Sequence, residues 1–248
     1  MPPPGRADHE DGVPFPGQEL PRDRWTRTGV KDDGLPFDWE GRFGREAPRV
    51  LDLGCGNGRY LIASALARPC HDHLGIDLVQ PCADWAARRA NRRGLTNVRF
   101  TVGEAGEWLS RRLGNASVDE IHVYHPQPYY GEGAAAMRLL GPEFLARCWE
   151  VLKPGGLLVL QTDNKAYWGY LKEAVAFHFE PGLHPGPWPD APRGRTRREI
   201  LARKKGLAVW RMVARRREVP RAGPLPAPDF DANRPRFRRG AGILPEAP

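Results

Sequence analysis

The 248 residues contain no run approaching 18 apolar positions, so no stretch is long enough to cross a bilayer as a helix. The opening Met1-Pro2-Pro3-Pro4-Gly5-Arg6 lacks the apolar core of a secretory leader. Cysteine is scarce. Cys55, Cys70, Cys82 and Cys148 form no C-x-x-C pair, which argues against a zinc cage or a disulfide framework. The expectation is a metal-free chain of the cytoplasm, away from membranes. Acidic residues are outnumbered, 30 against 38 Lys and Arg, which leaves a net charge of +8. Such a surface attracts polyanions, RNA above all, although an arginine-rich composition alone would give the same balance.

Residues 1–46 and 219–248 are rich in Pro, Gly, Arg and Asp and carry little periodicity, so both read as mobile tails around a domain at 47–218. Between them, strand-like and helix-like segments alternate, which predicts an α/β fold with a parallel sheet. Strands are expected near Arg49–Leu53, His73–Asp77, Val98–Val102, Ser117–Tyr124 and Gly156–Thr162. A last one, Leu207–Val213, would pair antiparallel at an edge. Helices are expected near Gly58–Ala67, Pro81–Arg93, Glu104–Leu113, Pro142–Leu152, Asn164–Ala176 and Thr196–Lys205.

The first of these strands runs into Asp52-Leu53-Gly54-Cys55-Gly56-Asn57-Gly58. Glycines between a strand and a helix let the backbone turn sharply and approach a ligand. A dinucleotide site wants G-x-G-x-x-G and a helix N-terminus that accepts pyrophosphate. Here the spacing is G-x-G-x-G behind an acid, which would repel pyrophosphate but suits a ligand carrying an amino group, such as S-adenosyl-L-methionine (SAM). Two further acids fall at strand ends. Asp77 is placed to hold ribose hydroxyls, and Glu104 with the backbone of Ala105 to meet an adenine edge.

With these residues the chain resembles the class I SAM-dependent methyltransferases. More closely, it is similar to the bacterial tRNA (guanine-N7)-methyltransferase family. Besides the glycine loop, the similarity is carried by Gly94-Leu95-Thr96-Asn97-Val98-Arg99-Phe100, Gly141-Pro142-Glu143-Phe144-Leu145 and Leu152-Lys153-Pro154-Gly155-Gly156. Gln161-Thr162-Asp163, Thr196-Arg197-Arg198-Glu199 and Gly206-Leu207-Ala208-Val209-Trp210 complete it. The resemblance spans roughly residues 48 to 217. It implies a doubly wound, mostly parallel seven-stranded sheet with an antiparallel edge strand. It also implies SAM as cofactor, held by Asp52, Gly54, Gly56, Asn57, Asp77, Glu104 and Ala105, and tRNA as partner.

In that family the fourth strand is followed by Phe-Pro-Asp-Pro-Trp and then a basic run, a loop that closes over the target guanine. Pro126-Gln127-Pro128-Tyr129 is the counterpart, with the prolines as a rigid edge, Gln127 as the base-reading amide and Tyr129 as a stacking face. Gln127 stands for an aspartate, which changes the donor and acceptor pattern offered to a base. Gly131-Glu132-Gly133-Ala134-Ala135-Ala136 stands for the basic run, leaving Arg138 as its remnant, and Arg59 stands where the family usually has an acid.

Catalytic candidates are Asp163 and Gln127; the resemblance adds Thr196 and Glu199 as contacts to the target base. Asp163 could instead cap the following helix, and Thr196 with Glu199 could be only a capping box. Arg193 to Arg217 holds eleven Lys or Arg residues, and Arg234-Pro235-Arg236-Phe237-Arg238-Arg239-Gly240 adds a basic patch. The expected activity is methyl transfer from SAM to the variable-loop guanosine of tRNA, by a monomer or homodimer. Two alternatives stay open: a methyltransferase with another RNA or small-molecule acceptor, or a SAM- or RNA-binding module without catalysis.

Overall fold

The computed structural model describes residues 8–129 and 138–223. A small hairpin comes first, β1 (His9–Glu10) with β2 (Val13–Pro14), followed by α1 (Trp39–Phe43). The main unit then alternates: β3 (Arg49–Leu53), α2 (Arg59–Ala67), β4 (Asp72–Asp77), α3 (Gln80–Arg92), β5 (Val98–Val102) and the short α4 (Ala105–Glu107). It continues with β6 (Val118–Tyr124), α5 (Pro142–Val151), β7 (Leu152–Thr162), α6 (Lys165–His178), β8 (Phe179–Leu183), α7 (Arg197–Lys204) and β9 (Trp210–Arg216).

Seven strands form one sheet in the order β5-β4-β3-β6-β7-β9-β8. Pairing is parallel from β5 to β7, and β9 runs antiparallel to both β7 and β8. The central strands are buried on both faces, which is why β4 reads as a continuous buried run. One face packs on Leu61, Ile62, Ala86 and Ala90 of α2 and α3. The other packs on Leu145, Cys148, Leu171 and Val175 of α5 and α6. Strand order reverses between β3 and β6, so the crevice for a ligand opens beyond Leu53 and Tyr124.

Several expectations need correction. The last strand runs Trp210–Arg216 rather than Leu207–Val213 and is interior; β8 is the antiparallel edge. The helix expected from Glu104 to Leu113 is three α-helical residues followed by a π-turn, Trp108–Arg112. Residues 8–46 pack against the domain, in contrast to the mobile segment expected there. Phe15 and Trp39 are buried, and residues 28–30 run along the β5 edge, where Phe100 N–H donates to Thr28 and Val30 N–H to Phe100. This cover removes an exposed sheet edge. Gly131–Ala136 and Arg234–Gly240 lie outside the described residues.

Candidate active site

The glycine loop is shaped by backbone demands. Gly54, Gly56 and Gly58 have φ of 76°, 54° and 77°, a region costly for any residue with a Cβ. Gly54 and Cys55 donate to Ile76 O at 2.8 and 3.0 Å, pinning the loop to the end of β4. Asp77, 9% exposed, accepts from Gly56 N–H at 2.7 Å and from Val79 N–H at 2.8 Å. Asp52 is 2% exposed, and its Oδ1 has no hydrogen-bond partner. Burial, reinforced by the nearby Asp77 charge, pushes the Asp52 carboxyl up to about 8. A buried acid with an orphaned oxygen beside a glycine turn fits the ammonium of SAM.

Glu104 caps α4, accepting from Gly106 and Glu107 N–H at 2.9 and 2.7 Å, and Ala105 is half-buried behind it. Gly103 donates to Asp77 O, and a Cβ there would lie 2.1 Å from the Trp108 indole nitrogen, so the strand end admits only glycine. Asn57 donates its side-chain amide to Glu10 and accepts from Arg59 N–H at 3.3 Å. Arg59, in the place of a family acid, is buried and ion-paired with Glu10 at 3.5 Å. Glu10 also pairs with Arg89 at 3.3 Å. Glu10 thus brings a carboxylate to this loop from the N-terminal hairpin, an arrangement with no local signal in the sequence.

Across the crevice, β6 ends at Tyr124 and the next residue, His125, takes a left-handed φ of 51°. Gln127 is exposed between two half-buried prolines, and Tyr129 is 36% exposed. Arg138 folds back on this loop and donates to Pro128 O at 2.5 Å and Tyr129 O at 3.0 Å, so it braces the loop backbone. Asp163 sits below. Its Oδ1 lies 3.0 Å from His125 Nδ1 and its Oδ2 accepts from Arg198 at 2.9 Å. Burial opposes ionisation there, but hydrogen bonds from His125 and from the Arg198 guanidinium outweigh it and hold the Asp163 carboxyl below its ordinary value. The helix cap beside it is Asn164, which accepts from Tyr167 N–H at 2.8 Å, so Asp163 does not have that task.

Thr196 caps α7, accepting from Glu199 N–H at 3.1 Å. Glu199 reaches back to Arg195 N–H at 2.7 Å, one residue before the position a capping box uses. Its other oxygen pairs with buried Arg211, and its own exposure is 0%. The geometry gives Glu199 a structural task, and a base could not touch it in this arrangement.

Sequence reasoning missed His125, Trp188 and Arg195. Arg195 donates to Tyr124 OH at 2.8 Å, pairs with Asp190 and lies 3.9 Å from the Trp188 ring centre. Trp188 in turn donates to Gln161. Only the two prolines after His125 hinted at an unusual backbone there.

The "Putative methyltransferase" family model matches residues 46–212. A tRNA (guanine-N(7)-)-methyltransferase of Nitrosococcus oceani is 32% identical over 75% of this chain and 79% of its own length. One from Halorhodospira halophila is 33% identical, covering 78% of this chain and 86% of its own. Among solved structures, the 16S rRNA methyltransferase KamB superposes with a TM-score of 0.56 at 17% identity, over 77% of this chain and 99% of its own, a likeness of fold. With the glycine loop, the strand-end acids and the Gln161-Thr162-Asp163 corner all in place, this chain belongs to the tRNA (guanine-N7)-methyltransferase family of SAM-dependent methyltransferases.

Proposed function

We propose that the protein methylates N7 of a guanosine in tRNA, in the cytoplasm, with SAM as donor. SAM supplies a methyl group on a sulfonium carbon. Asp52, the Gly54–Gly56 backbone, Asn57 and Asp77 would hold its amino acid and ribose parts, and Glu104 with Ala105 its adenine. Guanine N7 carries a free lone pair, so the acceptor needs no proton removed. The chain's contribution is orientation and charge. A purine gains positive charge as N7 is alkylated, and the ionised Asp163, just past the end of β7, is the carboxylate that would stabilise it. Pro126 and Pro128 stiffen the rim, Gln127 presents an amide to the base edge, and Tyr129 a stacking face. Thr196 caps the helix that carries Arg198 to Asp163.

The observation that carries this reading is Asp163, kept charged by two partners on the acceptor side of a methyl-donor site. The test is incubation with labelled SAM and tRNA lacking 7-methylguanosine, followed by nucleoside analysis. Label in 7-methylguanosine, lost in Asp163→Ala, supports it; label in another nucleoside, or none, refutes it. The exposed Gln127, in place of an aspartate, favours one second reading: the same transfer to a different acceptor.

A further inference from the structure

Trp188, Gln161, His125, Asp163 and Arg198 form a continuous row of hydrogen bonds under the acceptor loop. Its direction follows from its first member. An indole N–H can only donate, and that of Trp188 donates to Gln161 Oε1. The Gln161 amide is thereby oriented, and its NH2 faces His125 Nε2 at 2.7 Å. An amide nitrogen accepts nothing, so His125 Nε2 is the acceptor and carries no proton. The ring proton is on Nδ1, which donates to Asp163 Oδ1 at 3.0 Å. Arg198 holds the other oxygen at 2.9 Å.

The backbone is arranged for the same end. His125 holds a left-handed φ of 51°, a cost for a residue with a Cβ, and its N–H donates to Gln161 O at 2.7 Å. Gln161 therefore grips His125 by both main chain and ring, and is itself 1% exposed. A residue serving only as packing would not require an unfavourable backbone and two directed ring contacts. His125 occupies the Phe position of the Phe-Pro-Asp-Pro-Trp pattern, so an apolar ring would fill the same space without them.

We infer that His125 is a positioning residue for Asp163: locked as the neutral Nδ1–H tautomer by Trp188 through Gln161, it aims the carboxylate and leaves its remaining lone pairs to the acceptor. The inference rests on the reading of Asp163 as the acceptor-facing carboxylate. Nothing is transferred along the row. Its effect is orientation, and the acceptor class it serves is one that gains positive charge without losing a proton.

Long-range 1H–15N spectra of the full chain labelled in histidine test the lock, with His125 identified by the signal missing from His125→Phe. The expected wild-type pattern is a protonated Nδ1 and a bare Nε2. Trp188→Phe, which frees the Gln161 amide to turn, should shift the ring toward the Nε2–H form. A wild-type ring protonated on Nε2, or on both nitrogens, overturns the proposal. Turnover on tRNA tests the consequence. His125→Phe should lower kcat about tenfold, the scale of one hydrogen bond to a charged group, with KM for SAM nearly unchanged. His125→Asn, which keeps a side-chain N–H, should recover most of the loss. An unchanged kcat in His125→Phe, or equal loss in both variants, reduces His125 to packing. A wild-type protein inactive on tRNA would fail the Asp163 reading instead, while the spectra still decide the tautomer.

Discussion

At the scale of single residues, Asp52 is the least comfortable group in the protein. Its carboxyl is raised from 3.8 to about 8 by burial and by Asp77. Between about pH 4 and pH 8 the folded chain therefore holds a proton that the unfolded chain has released, and stability falls as pH rises through that window. Asp52→Asn should abolish this slope. The ligand-free variant should melt higher than wild type at pH 8, by roughly 2–4 °C for each kcal/mol relieved, and should match it near pH 4. It should also bind SAM more weakly, since an amide offers no charge to an ammonium. Melting curves that fall in parallel for both proteins would refute the assignment. Gln127 invites a gain of function. If it reads guanine less completely than an aspartate does, Gln127→Asp should raise kcat/KM on tRNA by a factor equivalent to about 1–3 kcal/mol. An unaltered rate and product would leave the exposed loop with no part in recognition.

At the scale of elements, what was legible depended on distance along the chain. The places of Asp52, Asp77 and Glu104 at or beside strand ends could be read because the apolar patterns of β3, β4 and β5 are local, and the glycine spacing between β3 and α2 is contiguous. The π-turn at Trp108–Arg112 could not, because its apolar pattern is that of an ordinary helix. The hairpin carrying Glu10 could not either, since its partners Asn57, Arg59 and Arg89 are 47 to 79 positions away and its own composition resembles a tail. β8 was hidden by Pro181 and Gly182, which weaken the strand signal yet are tolerated at an edge. The segment from Thr196 to Glu199 shows the opposite error, a motif whose residues were read as contacts when one of them is buried. Glu199→Ala would leave Arg211, 5% exposed, without its carboxylate. It should cost about 3–5 kcal/mol of stability, seen as an early urea midpoint, with tRNA affinity of the folded fraction intact. Loss of affinity without loss of stability would restore Glu199 to the recognition surface.

At the scale of the whole molecule, the net charge of +8 overstates what is available to RNA. Within Arg193 to Arg217 many cations already have partners. Arg195 pairs with Asp190, Arg211 with Glu199 and Arg217 with Glu180, while Arg203 and Arg215 donate to the carbonyls of Pro192 and Gly155. Arg197 and Arg198 differ. Their side chains are 59% and 64% exposed although paired with Asp11 and Asp163, and they lie on α7. A guanidinium carries five N–H donors, so one edge can stay on its carboxylate while another meets phosphate. If both arginines contact the tRNA backbone, log affinity should fall linearly with log salt, each contact contributing a slope of about 0.7–0.9. Replacing both with Ala should then reduce that slope by roughly 1.5, measured as binding rather than turnover because Arg198 also holds Asp163. Arg215→Ala, whose guanidinium serves the Gly155 carbonyl near the start of β7, should leave the slope as it was. Equal slopes in all three proteins would move the RNA surface away from α7, and an equal drop in both variants would mean that the field of the whole molecule, not a defined contact, draws in the substrate.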